Sequence, residues 1–452
     1  MTETRVLVPV GMLGNDIDPG LVAHGIELGA DAIAVDAGST DPGPFYLGSG
    51  QLKNADNAMR RDLRAIVPPA RRAGIPVVIG SSGTSGSNAG VDWIAGLVTE
   101  VLSETGQTAK VARIYSEQDP DTLRQRLGEG RVHALRPAAP LDEDTIDRCE
   151  RIVGVMGHEP IAAALSAGAD IVVAGRASDA AVIASVPLLR GCPPGASWHA
   201  GKVAECGALC TTDPRSGGVM ITVDDTGFVI EPLAATAACT PRTVAAHMLY
   251  ENANPYRLTE PPGTLDVTGA RYIALDERRV RVEGSAFEPA THHTMKLEGA
   301  ALTGYRSITI AGIRDPHVLR DIDAWGDLLA KVVEDSVAAT LGLTQKDYTL
   351  EVRLYGHNAV LGSRDSSGPP PKEVGVVLSA IAGSQDDATR IGQLASKYML
   401  HLPLPDMDHL PSFALFSSPS VIPTGALYEF VLNHTIELDS PVDLVRTEWS
   451  AA

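Results

Sequence analysis

The sequence lacks the features of a secreted or membrane-spanning protein. Five cysteines in 452 residues are too few, and odd in number, for a disulfide framework, so we expect a reducing compartment. No run of about 18 apolar residues occurs, which argues against a transmembrane helix. The first residues lead directly into the apolar residues 6–10, without the long apolar region and cleavage site of a secretory signal. We therefore predict a cytoplasmic protein.

Basic residues are scarce relative to acidic ones. The chain has 37 Lys and Arg against 56 Asp and Glu, which gives a formal net charge of −19. A surface this negative repels phosphate groups, so nucleic acid and anionic membranes are poor candidate partners. A small basic pocket inside an acidic surface is still compatible with these numbers. With 44% hydrophobic and 21% charged residues, the composition is that of a globular protein of two or three domains.

Short apolar runs alternate with amphipathic stretches through the first half of the chain. The runs are β-branched or alanine-rich, and they occupy residues 5–10, 32–36, 76–80, 110–114, 132–136, 151–156 and 170–175. Continuous apolar runs of this length are typical of strands that are buried on both faces. Their alternation with helices predicts an α/β fold with an N-terminal parallel sheet flanked by helices, either open or closed into a barrel.

The pattern changes after residue 216. Alternating segments and a hairpin turn at residues 225–227 predict antiparallel strands in a smaller α+β region. A stretch rich in Gly and Pro at residues 366–372 predicts a linker. We therefore predict an α/β ligand-binding domain at 1–215, an α+β domain at 216–370, and a C-terminal α+β segment at 371–452 that packs on the rest.

The most distinctive local motif is the glycine- and hydroxyl-rich segment GSSGTSGSNAG, which lies between a predicted strand and a predicted helix. Glycines allow a close approach of the backbone, and a helix N-terminus offers unpaired N–H groups, so this loop suits phosphate or carboxylate binding. It is neither a Walker loop nor a dinucleotide-binding fingerprint. The substrate-binding candidates are Ser82, Gly83, Thr84 and Ser85, and the alternative is a flexible crossover from strand to helix.

Charged residues follow three more of the predicted strands. Arg176 can clamp a carboxylate or phosphate with two parallel hydrogen bonds, oriented by Asp179, and a structural Arg–Asp pair is the alternative. Asp36 ends its own strand and is a further substrate-binding candidate. His158 and Glu159 are catalytic candidates as a base, or they simply begin a helix. Because strand ends of α/β sheets face the ligand crevice, we expect all of these around one pocket with the glycine-rich loop.

A third group of reactive side chains occurs in the segment WHAGKVAEC. If a helix begins at Gly201, Lys202 and Glu205 share one of its faces. His199, Lys202 and Glu205 then suit proton transfer beside a carbonyl, and a surface helix with an ordinary ion pair is the alternative. Cys206 as a nucleophile would need His199 or Lys202 as its basic partner, and as a zinc ligand it has weaker support because no Cys-x-x-Cys pair occurs. The spacing therefore predicts no metal ligands.

Several segments resemble those of a known family. The sequences DAGSTDPGP, IGSSG, GHEPI and GRASD resemble the acyclic terpene utilisation (AtuA) family. WHAGK, CTP and GYR are similar to the subgroup found with a small partner subunit in carboxylic-acid and acyl-CoA catabolic gene sets. The likeness spans nearly the whole chain and departs from the terpene type around residues 206–218 and in the C-terminal part. The resemblance implies a catabolic context and a small partner subunit, and it assigns no catalytic residues.

These observations predict a catabolic enzyme that is either a hydro-lyase (a hydratase) or an isomerase. We expect it to act through an enolate on a branched or polycarboxylic acid or its CoA ester. No redox cofactor is required, and a divalent ion such as magnesium held by Asp36, Glu159 or Asp179 fits the same chemistry. The expected partners are that small molecule, the small subunit and further copies of the chain. The rival is a non-catalytic ligand-binding or scaffold subunit, and a nucleotide-dependent ligase or kinase is weakened by the missing Walker lysine.

Overall fold

The computed structural model describes residues 3–364 and 371–452, which group into two compact units. The first unit contains the chain up to Ala301 together with Glu429–Ala452, and the second is Leu302–Tyr428. This grouping differs from the three segments predicted from the sequence. The predicted boundary after residue 370 and most of the predicted linker at 366–372 lie outside the described residues, so the three-part division stays a prediction.

Strands and helices alternate in the first half of the chain, and strands dominate thereafter. The strands of the described residues are β1 (Thr4–Val8), β2 (Ala32–Asp36), β3 (Val77–Gly80), β4 (Lys110–Tyr115), β5 (Val132–Ala134), β6 (Cys149–Val155), β7 (Ile171–Ala174), β8 (Val219–Asp224), β9 (Gly227–Pro232), β10 (Arg257–Glu260), β11 (Gly263–Asp266), β12 (Arg271–Ala274), β13 (Val280–Glu283), β14 (Ala286–Pro289), β15 (Thr294–Ile313), β16 (Tyr348–Tyr355), β17 (Val374–Ala382), β18 (Ala414–Leu415), β19 (Val421–Glu437) and β20 (Arg446–Ala451). The helices are α1 (Pro19–Glu27), α2 (Phe45–Ser49), α3 (Asp56–Ala73), α4 (Asn88–Thr105), α5 (Pro120–Gly128), α6 (Glu143–Arg148), α7 (Glu159–Ser166), α8 (Asp179–Leu189), α9 (Pro194–Ala204), α10 (Pro241–His247), α11 (Pro316–Arg320), α12 (Ile322–Leu341) and α13 (Gln385–His401).

The main sheet of the first unit is open and mostly parallel at its centre. Its described strands follow the order β12-β13-β9-β8-β1-β2-β3-β7-β4-β20. The neighbours from β1 to β4 in this order are parallel, and the flanking strands are antiparallel. The two ends of the order, β12 and β20, are edges, so the sheet does not close into a barrel. The predicted mixed α/β class is confirmed.

Two of the seven runs predicted for the parallel sheet belong elsewhere. Residues 132–136 contribute only the short strand β5, which pairs antiparallel with the end of β19. Residues 151–156 form most of β6, which pairs antiparallel with Lys296–Ala301 of β15. The prediction was wrong for both because an apolar run indicates a strand but does not specify its partner, and here the partners come from far along the chain.

The central strands are buried on both faces because helices cover each face. On one face, Val6, Ala34 and Val172 pack with side chains of α8 and α9. On the other face, Ile33 and Ile79 pack with side chains of α3 and α4. Helix α9 is itself buried along nearly its whole length, since β8 and β9 contact it as well. Any charged side chain at its end is therefore held inside the protein.

The second unit is a small α+β structure. The later part of β15 pairs antiparallel with β17, and β17 pairs antiparallel with β16. Trp325 and Leu329 of α12, together with Ile391 of α13, pack into the core beside this sheet. Among the residues that the structure describes, no helix is both long and apolar enough to cross a bilayer.

Candidate functional site

The loops that follow β2, β3 and β7 meet at one edge of the main sheet. The backbone N–H of Thr84 donates to the carbonyl oxygen of Ala37 at 3.3 Å. A Cβ added at Gly38 would lie 2.2 Å from the Cα of Thr84, and one added at Gly86 would lie 2.2 Å from the backbone nitrogen of Arg176. Only glycine allows such close contacts between backbones. The parallel topology thus brings Arg176 and the glycine-rich loop together, as predicted from the sequence.

The helix start behind the glycine-rich loop already uses N–H groups that were expected to bind an anion, whereas two hydroxyls of the loop are unused. Ser87 caps helix α4 by accepting a hydrogen bond from the N–H of Gly90 at 3.3 Å. The N–H of Asn88 donates to the carboxylate of Glu117 at 2.8 Å, so a negative group of the chain itself occupies this helix start. The hydroxyls of Ser82 and Ser85 are buried, and neither has a hydrogen-bond partner among the described residues.

Arg176 is buried, with protein acceptors around its guanidinium. Its Nε donates to Glu298 at 3.1 Å, and Nη2 donates to Thr40 at 3.5 Å. Nη1 donates to Ser81 at 3.2 Å and to Asp179 at 3.3 Å. Burial alone would lower the pKa of Arg176, but the neighbouring carboxylates, Glu298 first, raise it overall. These contacts favour the structural alternative, in which Arg176 joins the three loops to β15.

A cleft of about 510 Å³ opens beside these loops. Six carboxylates contribute to its lining: Asp16, Asp36, Asp41, Asp179, Glu205 and Glu251. Arg215 supplies a basic group, and the apolar part of the lining includes Val10, Met12, Leu209 and Tyr250. A concave site of this size with mixed lining suits a small molecule.

The cleft collects some of the predicted site residues and leaves out others. Asp36, Asp179 and Glu205 line it, and Lys202 contacts Glu205 directly. The predicted residues outside its lining are Ser82, Gly83, Thr84, Ser85, His158, Glu159, Arg176, His199 and Lys202 itself. For the glycine-rich loop, contact with substrate therefore stays a prediction.

Lys202 and Glu205 form a buried ion pair at the wall of the cleft. Helix α9 begins at Pro194 and ends at Ala204, so it does not begin at Gly201, and the pair lies at its C-terminal end. Nζ of Lys202 lies 2.6 Å from Oε1 of Glu205. Burial raises the pKa of Glu205 to about 8, with Lys202 opposing this rise and Asp179 adding to it. A buried carboxyl of this kind suits proton transfer better than the ordinary surface pair that was the alternative.

Sequence reasoning missed a further carboxyl group, which is half-buried. Glu260, the last residue of β10, accepts a hydrogen bond from the hydroxyl of Ser178 at 2.6 Å. Burial raises the pKa of Glu260 to about 7, and Asp179 adds to the rise. Burial also raises the pKa of Asp36, whose Oδ1 is without a hydrogen-bond partner in the described residues. No local motif in the sequence marks Glu260. It also belongs to the region that was assigned to another domain, so no contact with the residues after β7 was expected.

His199 lies in the core and not in the cleft. Its Nδ1 is 2.7 Å from the hydroxyl of Ser285, and its Nε2 is 3.2 Å from the hydroxyl of Tyr272. Phe228 packs edge-on against the ring. Burial lowers the pKa of His199 to about 3, so the imidazole is neutral at physiological pH. The prediction that His199 moves a proton to or from substrate has no support, because both nitrogens are engaged inside the core.

We expect His199→Phe to lower the free energy of unfolding by about 1–3 kcal/mol, because Ser285 and Tyr272 each lose a hydrogen-bond partner. The pKa of His199 is near 3 in the folded protein and 6.5 ordinarily, so the unfolded chain binds the proton more readily. The wild type therefore loses stability as the pH falls from 6.5 towards 3, and the variant should lose this part of the acid sensitivity. Urea denaturation at neutral pH and at about pH 5 measures both effects. An unchanged pH dependence would contradict this role.

His158 and Glu159 lie at the start of α7. The His158 ring packs edge-on against Trp198, and its Nδ1 is 3.4 Å from Oε2 of Glu159. Burial lowers the pKa of His158, and Glu159 opposes the change. Glu159 borders a separate cavity of about 10 Å³, too small for a substrate. Of the three predicted magnesium ligands, Asp36 and Asp179 line the cleft and Glu159 does not. The structure therefore does not bring all three together at the cleft.

Comparison with known proteins assigns the chain to a family. A family model described as the acyclic terpene utilisation family protein AtuA matches residues 50–407. Searches of curated proteins and of solved structures found no match. The matched region covers most of the 452 residues and includes the loops after β3 and β7 as well as the Lys202–Glu205 pair. The chain therefore belongs to the acyclic terpene utilisation (AtuA) family, which is associated with the catabolism of acyclic terpenes.

Proposed function

We propose that this protein is a catabolic enzyme that adds or removes water, or catalyses a related lyase or isomerase step, on a branched carboxylic acid or its CoA ester. The observation that carries the proposal is the buried Lys202–Glu205 pair, 2.6 Å apart, with Glu205 at the wall of the cleft. Removing a proton next to a carbonyl requires a base that reaches the substrate and positive charge near the enolate that forms. Glu205 offers the base, and the Lys202 ammonium beside it adds positive charge behind the wall of the cleft.

The lining of the cleft favours a branched acid over a polycarboxylic acid. Val10, Met12 and Leu209 offer apolar surface that suits a branched hydrocarbon chain. The carboxylates of the lining would repel several negative charges on one ligand. The thioester carbonyl of a CoA ester is neutral, so the reacting end of that ligand avoids this repulsion, whereas its phosphates need a donor such as Arg215. Membership of the AtuA family supports the same choice, because acyclic terpenes are branched hydrocarbons.

The residues around the cleft have different roles in such a reaction. Glu205 accepts the proton from the carbon next to the carbonyl. Lys202 is a positioning residue, because it contacts Glu205 and is outside the lining of the cleft. Arg215 is exposed and provides a donor for the carboxylate or for the phosphates of a CoA ester.

We further propose membership of the subgroup that acts with a small partner subunit in carboxylic-acid and acyl-CoA catabolism. The segment that resembles this subgroup, WHAGK, contributes Lys202. The rival, a ligand-binding subunit without chemistry of its own, uses the same cleft but needs no proton acceptor. Ligand binding and proton transfer must therefore be measured separately.

A ligand panel followed by isotope exchange tests the proposal. Branched acyl-CoA esters, free branched acids, tricarboxylates and nucleotides are compared by thermal shift, with and without magnesium. A preferred ligand at about one hundred times its Kd should stabilise the fold by about 2.7 kcal/mol. In D2O, that ligand should exchange hydrogen for deuterium next to its carbonyl. A response to nucleotides alone would overturn the proposal, and binding without exchange would favour the non-catalytic rival.

A further inference from the structure

We infer that Glu205, Cys206 and His247 form a binding site for a transition-metal ion of the zinc class at the wall of the cleft. One carboxylate oxygen, the thiol sulfur and one imidazole nitrogen from these residues all lie within 4.8 Å of one another. A tetrahedral metal ion at typical bond lengths of about 2.0–2.3 Å holds its ligand atoms about 3.3–3.8 Å apart, which is within this limit. The inference does not depend on the proposed reaction, because binding of the ion needs no substrate.

His247 provides a second and independent observation. Only 6% of its surface is exposed, and its Nε2 is buried without a hydrogen-bond partner among the described residues. Buried polar atoms normally have a hydrogen-bond partner. An unpartnered one therefore calls for an explanation, such as a role in binding an ion. The ring of Tyr250 stacks on the imidazole at 5.7 Å between centroids, which holds the ring plane in place.

The donor set selects the kind of ion. A thiolate and an imidazole suit zinc, cobalt(II) or iron(II), whereas magnesium prefers oxygen ligands. Glu205 and Cys206 both line the cleft, so a fourth coordination position would face its interior. Three protein ligands with one open position are typical of catalytic zinc sites, while structural sites use four protein ligands.

The charges around the site decide whether a cation is tolerated. Lys202 opposes it, since its ammonium lies 2.6 Å from Oε1 of Glu205. Glu205 can keep this contact through Oε1 and offer Oε2 to the ion. Asp179 and Glu260 act on Lys202 and Glu205 electrostatically, and both favour a cation. The Cys206 thiol becomes a thiolate on binding, and its proton leaves to solvent.

Tertiary packing creates this site. Glu205 and Cys206 are adjacent in sequence, but His247 is the last residue of α10, and it reaches them because α10 packs against the turn Gly207–Cys210. Spacing along the chain does not resemble a known zinc motif, which explains why the sequence predicted no metal ligands here.

Cobalt(II) titration tests the site. The purified protein is first stripped with a chelator, and Co²⁺ is then added while the near-ultraviolet absorption is recorded. We expect one Co²⁺ per chain with a thiolate-to-cobalt charge-transfer band, displaced by Zn²⁺. Cys206→Ser should abolish the band, and His247→Asn should weaken binding at least about tenfold. The matched control is Cys149→Ser, because Cys149 and Cys206 are both half-buried thiols and burial raises the pKa of each to about 12.

A measurement on the wild type covers the case in which a variant fails to fold. Zn²⁺ should slow alkylation of Cys206 and leave alkylation of Cys149 unchanged, as read by peptide mapping. Absence of stoichiometric binding, a band that survives in Cys206→Ser, or equal protection of the two cysteines would overturn the inference.

Discussion

Arg176→Met is expected to lower the free energy of unfolding by about 3–5 kcal/mol, because it leaves buried carboxylates without their cation. Glu298 contacts the guanidinium at 3.1 Å and Asp179 at 3.3 Å, and the Arg176 side chain is 10% exposed. The same change removes the donors that connect the loops after β2 and β3 to β15. Urea denaturation monitored by circular dichroism measures the effect.

Arg60→Met is the matched control for this prediction. Arg60 pairs with Glu100 at 2.7 Å, but the Glu100 side chain is 55% exposed, so the loss should be about 0–1 kcal/mol. The double variant Arg176→Met with Glu298→Gln should recover part of the stability, because the uncompensated charge is gone. If Arg176→Met remains as stable as Arg60→Met and loses ligand binding instead, Arg176 is the substrate clamp that the sequence predicts.

The pH dependence of this effect has a definite sign. Burial alone would raise the pKa of Glu298, but Arg176 and Lys296 lower it to about 2, against an ordinary 4.5. The stability that this ionised carboxylate contributes is present above pH 4.5 and is lost as the pH falls towards 2. The difference between wild type and Arg176→Met should therefore shrink below pH 4.5, where Glu298 in the variant is protonated and needs no cation.

Glu205→Gln should reduce deuterium exchange and turnover of the preferred ligand roughly one hundredfold to ten-thousandfold, the usual contribution of a general base. The substituted amide keeps the shape of the side chain but cannot accept the proton. Ligand binding by thermal shift should change far less, since the apolar lining and Arg215 are untouched. Mass spectrometry of the ligand after incubation in D2O measures the exchange.

Glu159→Gln is the matched control, because Glu159 was also predicted to be catalytic but does not line the cleft. It should retain exchange close to that of the wild type. The comparison is made on chelator-treated protein, in which Glu205 has no metal to bind. If the chelator abolishes exchange in the wild type, Glu205 is not the direct base and the chemistry belongs to a bound ion. If both variants lose exchange equally, the choice of Glu205 is contradicted.

The sequence predicted much of the first unit for a clear physical reason. Strands such as Ala32–Asp36 and Ile171–Ala174 are continuous apolar runs, because helices bury both of their faces. Polar residues at their ends were expected to meet, since the carboxyl ends of parallel strands share one edge of a sheet. The contact between Gly86 and Arg176 bears this out. The partners of β5 and β6 were missed, because a short apolar run does not specify which distant strand it pairs with.

Local periodicity and strand direction suffice to predict the α/β class, the edge at which the loops collect and the i, i+3 pairing of Lys202 with Glu205. Which of these groups face a ligand depends instead on how distant parts of the chain pack. His199 and Lys202 lie three residues apart on one buried helix, yet His199 is enclosed by Ser285 and Tyr272, while Lys202 reaches a carboxylate at the cleft. Solvent access, and with it the pKa and the reactivity of each group, depends on elements that arrive from distant parts of the chain.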